Sequence, residues 1–129
     1  MKLRIIRGLP GSGKSTFAKT FGCLHIENDM FRMRDGKYHF DCRSSTVKNQ
    51  CKRFVEEALR LGIDVCVSNV FCLYDIVDEY VELGKHYGAD VEVYKMVGHF
   101  KNVHSVPDHV ISHFKNEWED YHGEKIIKK

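Results

Sequence analysis

Gly8-Leu9-Pro10-Gly11-Ser12-Gly13-Lys14-Ser15, followed by Thr16, is the stretch on which the reading of this chain turns. A glycine, four residues and then Gly-Lys-Ser is the pattern of a loop that wraps phosphate groups, provided a strand precedes it and a helix follows. Both are present in the sequence. Lys2–Arg7 is short, β-prone and runs straight into Gly8, while Lys14–Phe21 can continue as a helix until Gly22 stops it. Glycines let the backbone curl so that its N–H groups converge on phosphate oxygens, and the helix start adds the positive end of its dipole. Gly8, Gly11, Ser12, Gly13, Lys14, Ser15 and Thr16 are therefore the expected nucleotide-binding residues. Lys14 would bridge the β- and γ-phosphates, the Ser15 hydroxyl would hold magnesium, and Thr16 would touch the α-phosphate, with ATP and Mg²⁺ as the expected ligands. A dinucleotide loop does not fit, because Thr16 stands where the third glycine of that pattern belongs.

Working outward, strands and helices alternate. Cys23–Glu27 predicts a second strand, and Asn28-Asp29 a helix cap before Met30–Arg34. Asp35-Gly36-Lys37 is turn chemistry. Val47, Cys51, Phe54, Val55, Ala58 and Leu61 recur at helical spacing across 45–61. Asp64–Ser68 and Val91–Val97 read as strands and Tyr74–Tyr87 as a helix with Gly84 a mild interruption. Pro107 opens a last helix to about Tyr121, and the polar tail Gly123–Lys129 reads as frayed. The alternation predicts a parallel sheet with helices on both faces, and the 129 residues predict one domain, 1–129.

Composition narrows the classes. No apolar run approaches a membrane span, and the N-terminus lacks an export signal, so a cytoplasmic location is expected, the host's if the chain is phage-encoded. Five cysteines, odd in number and without Cys-x-x-Cys spacing, read as small half-buried thiols rather than a disulfide framework or zinc site. His109 and His113 share a helix face without an assured third ligand. Net charge is only +2, but 32–53 carries seven basic residues against two acidic ones, which suggests an anionic second substrate. Tyr38 and Phe40 in that segment either anchor it or stack on a base.

The strand ending in Val65-Cys66-Val67-Ser68-Asn69 carries no carboxylate, unlike motor ATPases and GTPases, and no Asn-Lys-x-Asp guanine-reading motif is present. Asp29, just after the second strand, faces the same sheet end as the loop and can accept a proton from an attacking hydroxyl; it can equally cap a helix. Gly8–Thr16, Asn28-Asp29-Met30-Phe31-Arg32, Asp35–Tyr38, Val67-Ser68-Asn69 and Val106-Pro107 together resemble the kinase domain of bacteriophage polynucleotide 5′-kinase and the small phage and bacterial ATP-binding proteins of that P-loop kinase group. The resemblance spans nearly the whole chain. It implies a three-layer α/β/α, nucleoside-kinase-like P-loop fold with a short parallel sheet, and phosphoryl transfer from ATP to the 5′-hydroxyl end of DNA or RNA. It implies Asp29 as general base, Arg32 on a substrate phosphate, Asn69 near the substrate hydroxyl, and Lys101 in a lid over about 98–106 that closes on the ATP phosphates. Met30 replaces a second acidic residue of many relatives, and the lid Phe100-Lys101-Asn102-Val103-His104 has no arginine, so no bidentate clamp forms there. A small-molecule kinase and a non-catalytic ATP-binding phage or regulatory protein are the alternatives. Acceptor and oligomeric state stay open.

Overall fold

Lys2–Gly8 forms the central strand because its residues serve two hydrophobic layers at once. Leu3 and Ile5 point to one face and Ile6 to the other, and all three are fully buried. A computed structural model describes residues 1–27, 33–34, 37–38, 45–98 and 107–128. Its elements are β1 (Lys2–Gly8), α1 (Lys14–Lys19), β2 (Leu24–Ile26), β3 (Met33–Arg34), β4 (Lys37–Tyr38), α2 (Ser45–Arg60), β5 (Val65–Asn69), α3 (Tyr74–His86), β6 (Asp90–Met96), α4 (Asp108–Glu117) and β7 (Lys125–Ile127). Five strands make one parallel sheet in the order β2-β5-β1-β6-β7. Parallel neighbours need a crossover, and a helix lies in each one here. The chain moves to one side of β1 for β2 and β5 and to the other for β6 and β7. The strand order thus switches direction at β1, and in such sheets ligands bind at the C-terminal ends of the strands beside such a switch.

Two cores make the three layers. Cys51, Val55, Ala58 and Leu59 of α2 and Val77, Tyr80 and Val81 of α3 pack with Leu3, Ile5, Val65, Val67 and Val93 on one face. Ala18, Phe17 and Phe21 around α1 pack with Ile6, Cys66, Tyr94 and Met96 on the other. No helix among the described residues is long and apolar enough to cross a membrane.

Three boundaries differ from the sequence reading. Met33–Arg34 is not helical: it pairs antiparallel with Lys37–Tyr38, Met33 opposite Tyr38, a two-residue hairpin register that matches the Asp35-Gly36 turn chemistry. The rest of the expected cap and helix, 28–32, lies outside the described residues. The last helix stops at Glu117 because Trp118 turns to extended backbone, ψ 127°. The tail is not frayed over 125–127: Lys125–Ile127 pairs with Tyr94–Met96, and Ile127 packs into the α1-side core. A three-residue edge strand next to a longer one needs no sequence signal beyond Lys-Ile-Ile, which is why composition hid it.

Gly84 is more than an interruption of α3. A Cβ there would stand 2.5 Å from Val91 Cγ2 and 2.9 Å from Leu3 Cδ2, so the missing side chain lets α3 lie directly on β1 and β6. Gly84→Ala is expected to cost about 1–3 kcal/mol of unfolding free energy in urea through overpacking, despite alanine's better helix propensity. A variant as stable as the parent would show that the helix can move off the sheet without loss.

Candidate active site

The loop leaves β1 at Gly8 and enters α1 at Lys14. Gly11 and Gly13 hold φ of +81° and +93°, the left-handed region open to glycine, and Gly13 caps α1 as its carbonyl accepts from the Phe17 N–H at 3.0 Å. At Gly8 a Cβ would crowd Ser12 Oγ and stand 3.0 Å from the Met96 carbonyl, so a side chain there would displace Ser12 and press on β6. The Lys14 ammonium donates to the Gly8 and Leu9 carbonyls at 2.9 and 3.0 Å and is thereby held over the loop. The Ser12 hydroxyl is buried without a hydrogen-bond partner among the described residues. A buried orphan hydroxyl costs about 1–3 kcal/mol, a cost that an oxygen-rich ligand in the loop would relieve. Thr16 is exposed on the first turn of α1.

Ser15 meets a residue that sequence reasoning passed over. Its hydroxyl donates to Glu27 Oε2 at 3.0 Å, and Glu27 is the first residue after β2. The same carboxylate oxygen accepts from Ser68 Oγ at 3.0 Å and lies 3.5 Å from His25 Nε2, which is 2.5 Å from Ser68 Oγ. Burial lowers the His25 pKa, Glu27 opposes this and Lys19 lowers it further, which favours the uncharged imidazole. β5 indeed ends without a carboxylate, as the sequence reading had it. The acidic group stands one strand further out, just past the end of β2, and that strand-end position facing α1 is its signal in the sequence. Ser15 Oγ and the Glu27 carboxylate are hard oxygen donors of the kind magnesium takes.

Asn69 ends β5 on the other face of the sheet. It is buried, and its Nδ2 donates to Cys51 Sγ of α2 at 3.6 Å. Burial raises the Cys51 thiol pKa, and the Asn69 contact partly opposes this. Asn69 pairs in register with Arg7 of β1, so it stands beside the root of the phosphate loop. α2 brings its N-terminal half to this end of the sheet, with Lys48 and Arg53 exposed and Lys52 half-buried around Cys51. Asp29, Arg32, Lys101 and, from residue 99 on, the expected lid over about 98–106 lie outside the described residues. His109 and His113 are exposed on α4, and no group of three metal-ligating side chains forms among the described residues.

Arg7 is the other residue the sequence did not single out. An arginine ahead of a glycine reads as a surface charge, yet this one is fully buried. Nε and Nη2 donate to the Phe71 carbonyl at 3.0 and 2.6 Å, Nη2 to the Glu119 carbonyl at 2.6 Å, and Nη1 to Glu124 Oε1 at 3.0 Å. The guanidinium lies 4.2 Å from the Trp118 ring centre. Phe71 has a φ of +49°, costly for a phenylalanine, and the two bonds to its carbonyl help hold it. Glu119 also accepts from the Tyr74 N–H at 2.9 Å at the start of α3, and Tyr121 stacks on Tyr74 with its hydroxyl on Asp78 at 2.8 Å.

Residues 3–97 match the AAA domain family. An uncharacterised protein of Pasteurella multocida (strain Pm70) is 35% identical over 128 aligned positions, covering 84% of this chain and 72% of that protein. Among solved structures, a chain of the Pnkp1/Rnl/Hen1 RNA repair complex superposes over 90% of this chain with a TM-score of 0.65 and 21% identity. The present chain covers only 43% of that one. A gluconokinase from Sinorhizobium meliloti 1021 matches 98% of this chain and 82% of its own length, TM-score 0.61, identity 17%. The Mycobacterium tuberculosis APS kinase matches 90% of this chain and 95% of its own length, TM-score 0.52, identity 15%. The fold is thus that of P-loop kinases.

Arg7→Met is expected to remove about 3–5 kcal/mol of unfolding free energy, because Glu124 and two carbonyls stay buried without their donor. Equilibrium urea unfolding measures it, and a loss of about 0.5 kcal/mol, the range of a surface change, would contradict the assignment.

Proposed function

The chain belongs to the AAA domain family, and on that premise we propose that it transfers the γ-phosphoryl group of ATP to a hydroxyl acceptor, the 5′-hydroxyl end of DNA or RNA. The observation that carries this reading is the contact of Ser15 with Glu27. It joins the phosphate loop to a strand-end carboxylate at the C-terminal end of the sheet, where ligands bind in such folds. Lys14 takes the β- and γ-phosphates, with Gly8, Gly11, Ser12, Gly13 and Thr16 completing the cradle. Ser15 and Glu27 would hold magnesium, and the ion supplies neutralisation of charge on the phosphate oxygens. Asp29 follows Glu27 by two residues and takes the proton of the acceptor hydroxyl as its oxygen bonds to the γ-phosphorus and ADP leaves. Arg32 binds an acceptor phosphate, Asn69 orients the acceptor hydroxyl, and Lys101 closes on the triphosphate.

A polyanionic acceptor is supported by the basic residues Lys48, Lys52 and Arg53 in α2, the helix that touches Asn69 through Cys51. The repair-complex likeness points the same way. One observation favours a second reading, transfer to a small hydroxyl metabolite: the gluconokinase is matched over 82% of its length, against 43% for the repair-complex chain.

Incubation with γ-labelled ATP, Mg²⁺ and a 5′-hydroxyl oligonucleotide is expected to place label on the 5′ end. Asp29→Asn is expected to slow transfer by roughly 10²–10⁴-fold while leaving ATP affinity unchanged. Equal losses of transfer and affinity would make Asp29 a structural cap. Transfer only to small hydroxyl compounds would establish the second reading, and ATP binding without transfer to any acceptor would leave a non-catalytic binding protein.

A further inference from the structure

The sheet face beneath α1 holds two thiols in contact. Cys66 of β5 is buried, and its Sγ lies 2.8 Å from Sγ of Cys23, the half-buried residue that leads into β2. Arg4 of β1 is the register partner of Cys66. Its guanidinium sits 4.2 Å over the Phe21 ring and is attracted to both cysteines in their thiolate form. Arg4 Nε is buried with no hydrogen-bond partner among the described residues. Ile6, Ala18, Phe17 and Phe21 enclose the site.

We propose that Cys23 and Cys66 form a redox-active dithiol that closes to an intramolecular disulfide by exchange with a low-molecular-weight disulfide such as glutathione disulfide. A disulfide bond is about 2.0 Å long, so the two sulfurs need approach by only about 0.8 Å. Cys23 is the more accessible thiol and acts first. Its thiolate attacks one sulfur of glutathione disulfide, that S–S bond breaks, and one glutathione thiolate leaves. Cys66 then attacks the Cys23 sulfur, the mixed disulfide breaks, and the second glutathione departs with the proton from Cys66. Two protein thiols are oxidised and one glutathione disulfide is reduced to two thiols. Burial, with the Cys23 thiol alongside, pushes the Cys66 thiol up to about 12, and Arg4 pulls the other way. Capping of Cys23 as the mixed disulfide removes the neighbouring thiol's share, which favours the second step. The bond closes a loop over a sequence separation of 43 residues, which restricts the unfolded chain.

The folded protein is equilibrated in glutathione buffers of graded oxidation, and separately treated with diamide, then mapped by unreduced peptide digestion. The expected product joins the Cys23 and Cys66 peptides, weighs two hydrogens less than the reduced protein and unfolds at higher urea. Cys66→Ala is expected to trap Cys23 as a glutathione adduct, and Cys23→Ala to leave Cys66 unmodified. Linkage of other cysteines in the folded protein, or adducts alone with both reagents, would overturn the proposal.

Discussion

A buried guanidinium one residue before the phosphate loop ties the site end of this fold together. Arg7 sits on the central strand, yet its four hydrogen bonds reach the loop after β5 and the segment after α4. Leaving such a charge unpaired inside a protein is far costlier than any surface pair is favourable, so its partners must be brought to it. Several features follow from that demand. α4 ends where Trp118 turns to cover the guanidinium, Phe71 adopts a left-handed backbone to present its carbonyl, and Glu124 arrives just before β7 begins. The C-terminal segment is thereby fastened beneath the root of the loop.

The sheet divides the work by side-chain parity. Residues facing α1 at the strand ends, His25, Glu27 and Ser68, meet Ser15 and form the polar cluster of the nucleotide side. Residues facing α2 and α3 stand at the root of the loop: Arg7 reaches the segments after β5 and α4, and Asn69 meets Cys51 of α2. Because successive strand residues point to opposite faces, Ser68 and Asn69 serve different sides although they are adjacent.

Much of this was legible in the chain. The β1–loop–α1 unit announces itself, since a glycine pattern between an apolar run and a helix has few other uses, and helical or strand periodicity located α2, α3, β5 and β6 within a residue or two. What escaped depends on tertiary contact. Glu27 looks like any strand-end acid until β2 is placed beside β5 and beneath α1. Arg7 looks exposed until the C-terminal segment covers it. β7 exists because the edge of β6 was available, not because Lys125–Ile127 carries a strong strand signal. Gly84 reads as a weak point in a helix and proves to be a close approach.

Under the proposed function, the phosphate loop and Glu27 hold Mg²⁺ and ATP together. Calorimetric titration of ATP with and without Mg²⁺, on the parent chain and on Glu27→Gln, tests it most directly. The parent should bind one ATP more tightly with Mg²⁺, and Glu27→Gln should keep the metal-free affinity but lose the Mg²⁺ enhancement. A Glu27→Gln protein that retains the full enhancement would show that Glu27 takes no part in holding the metal.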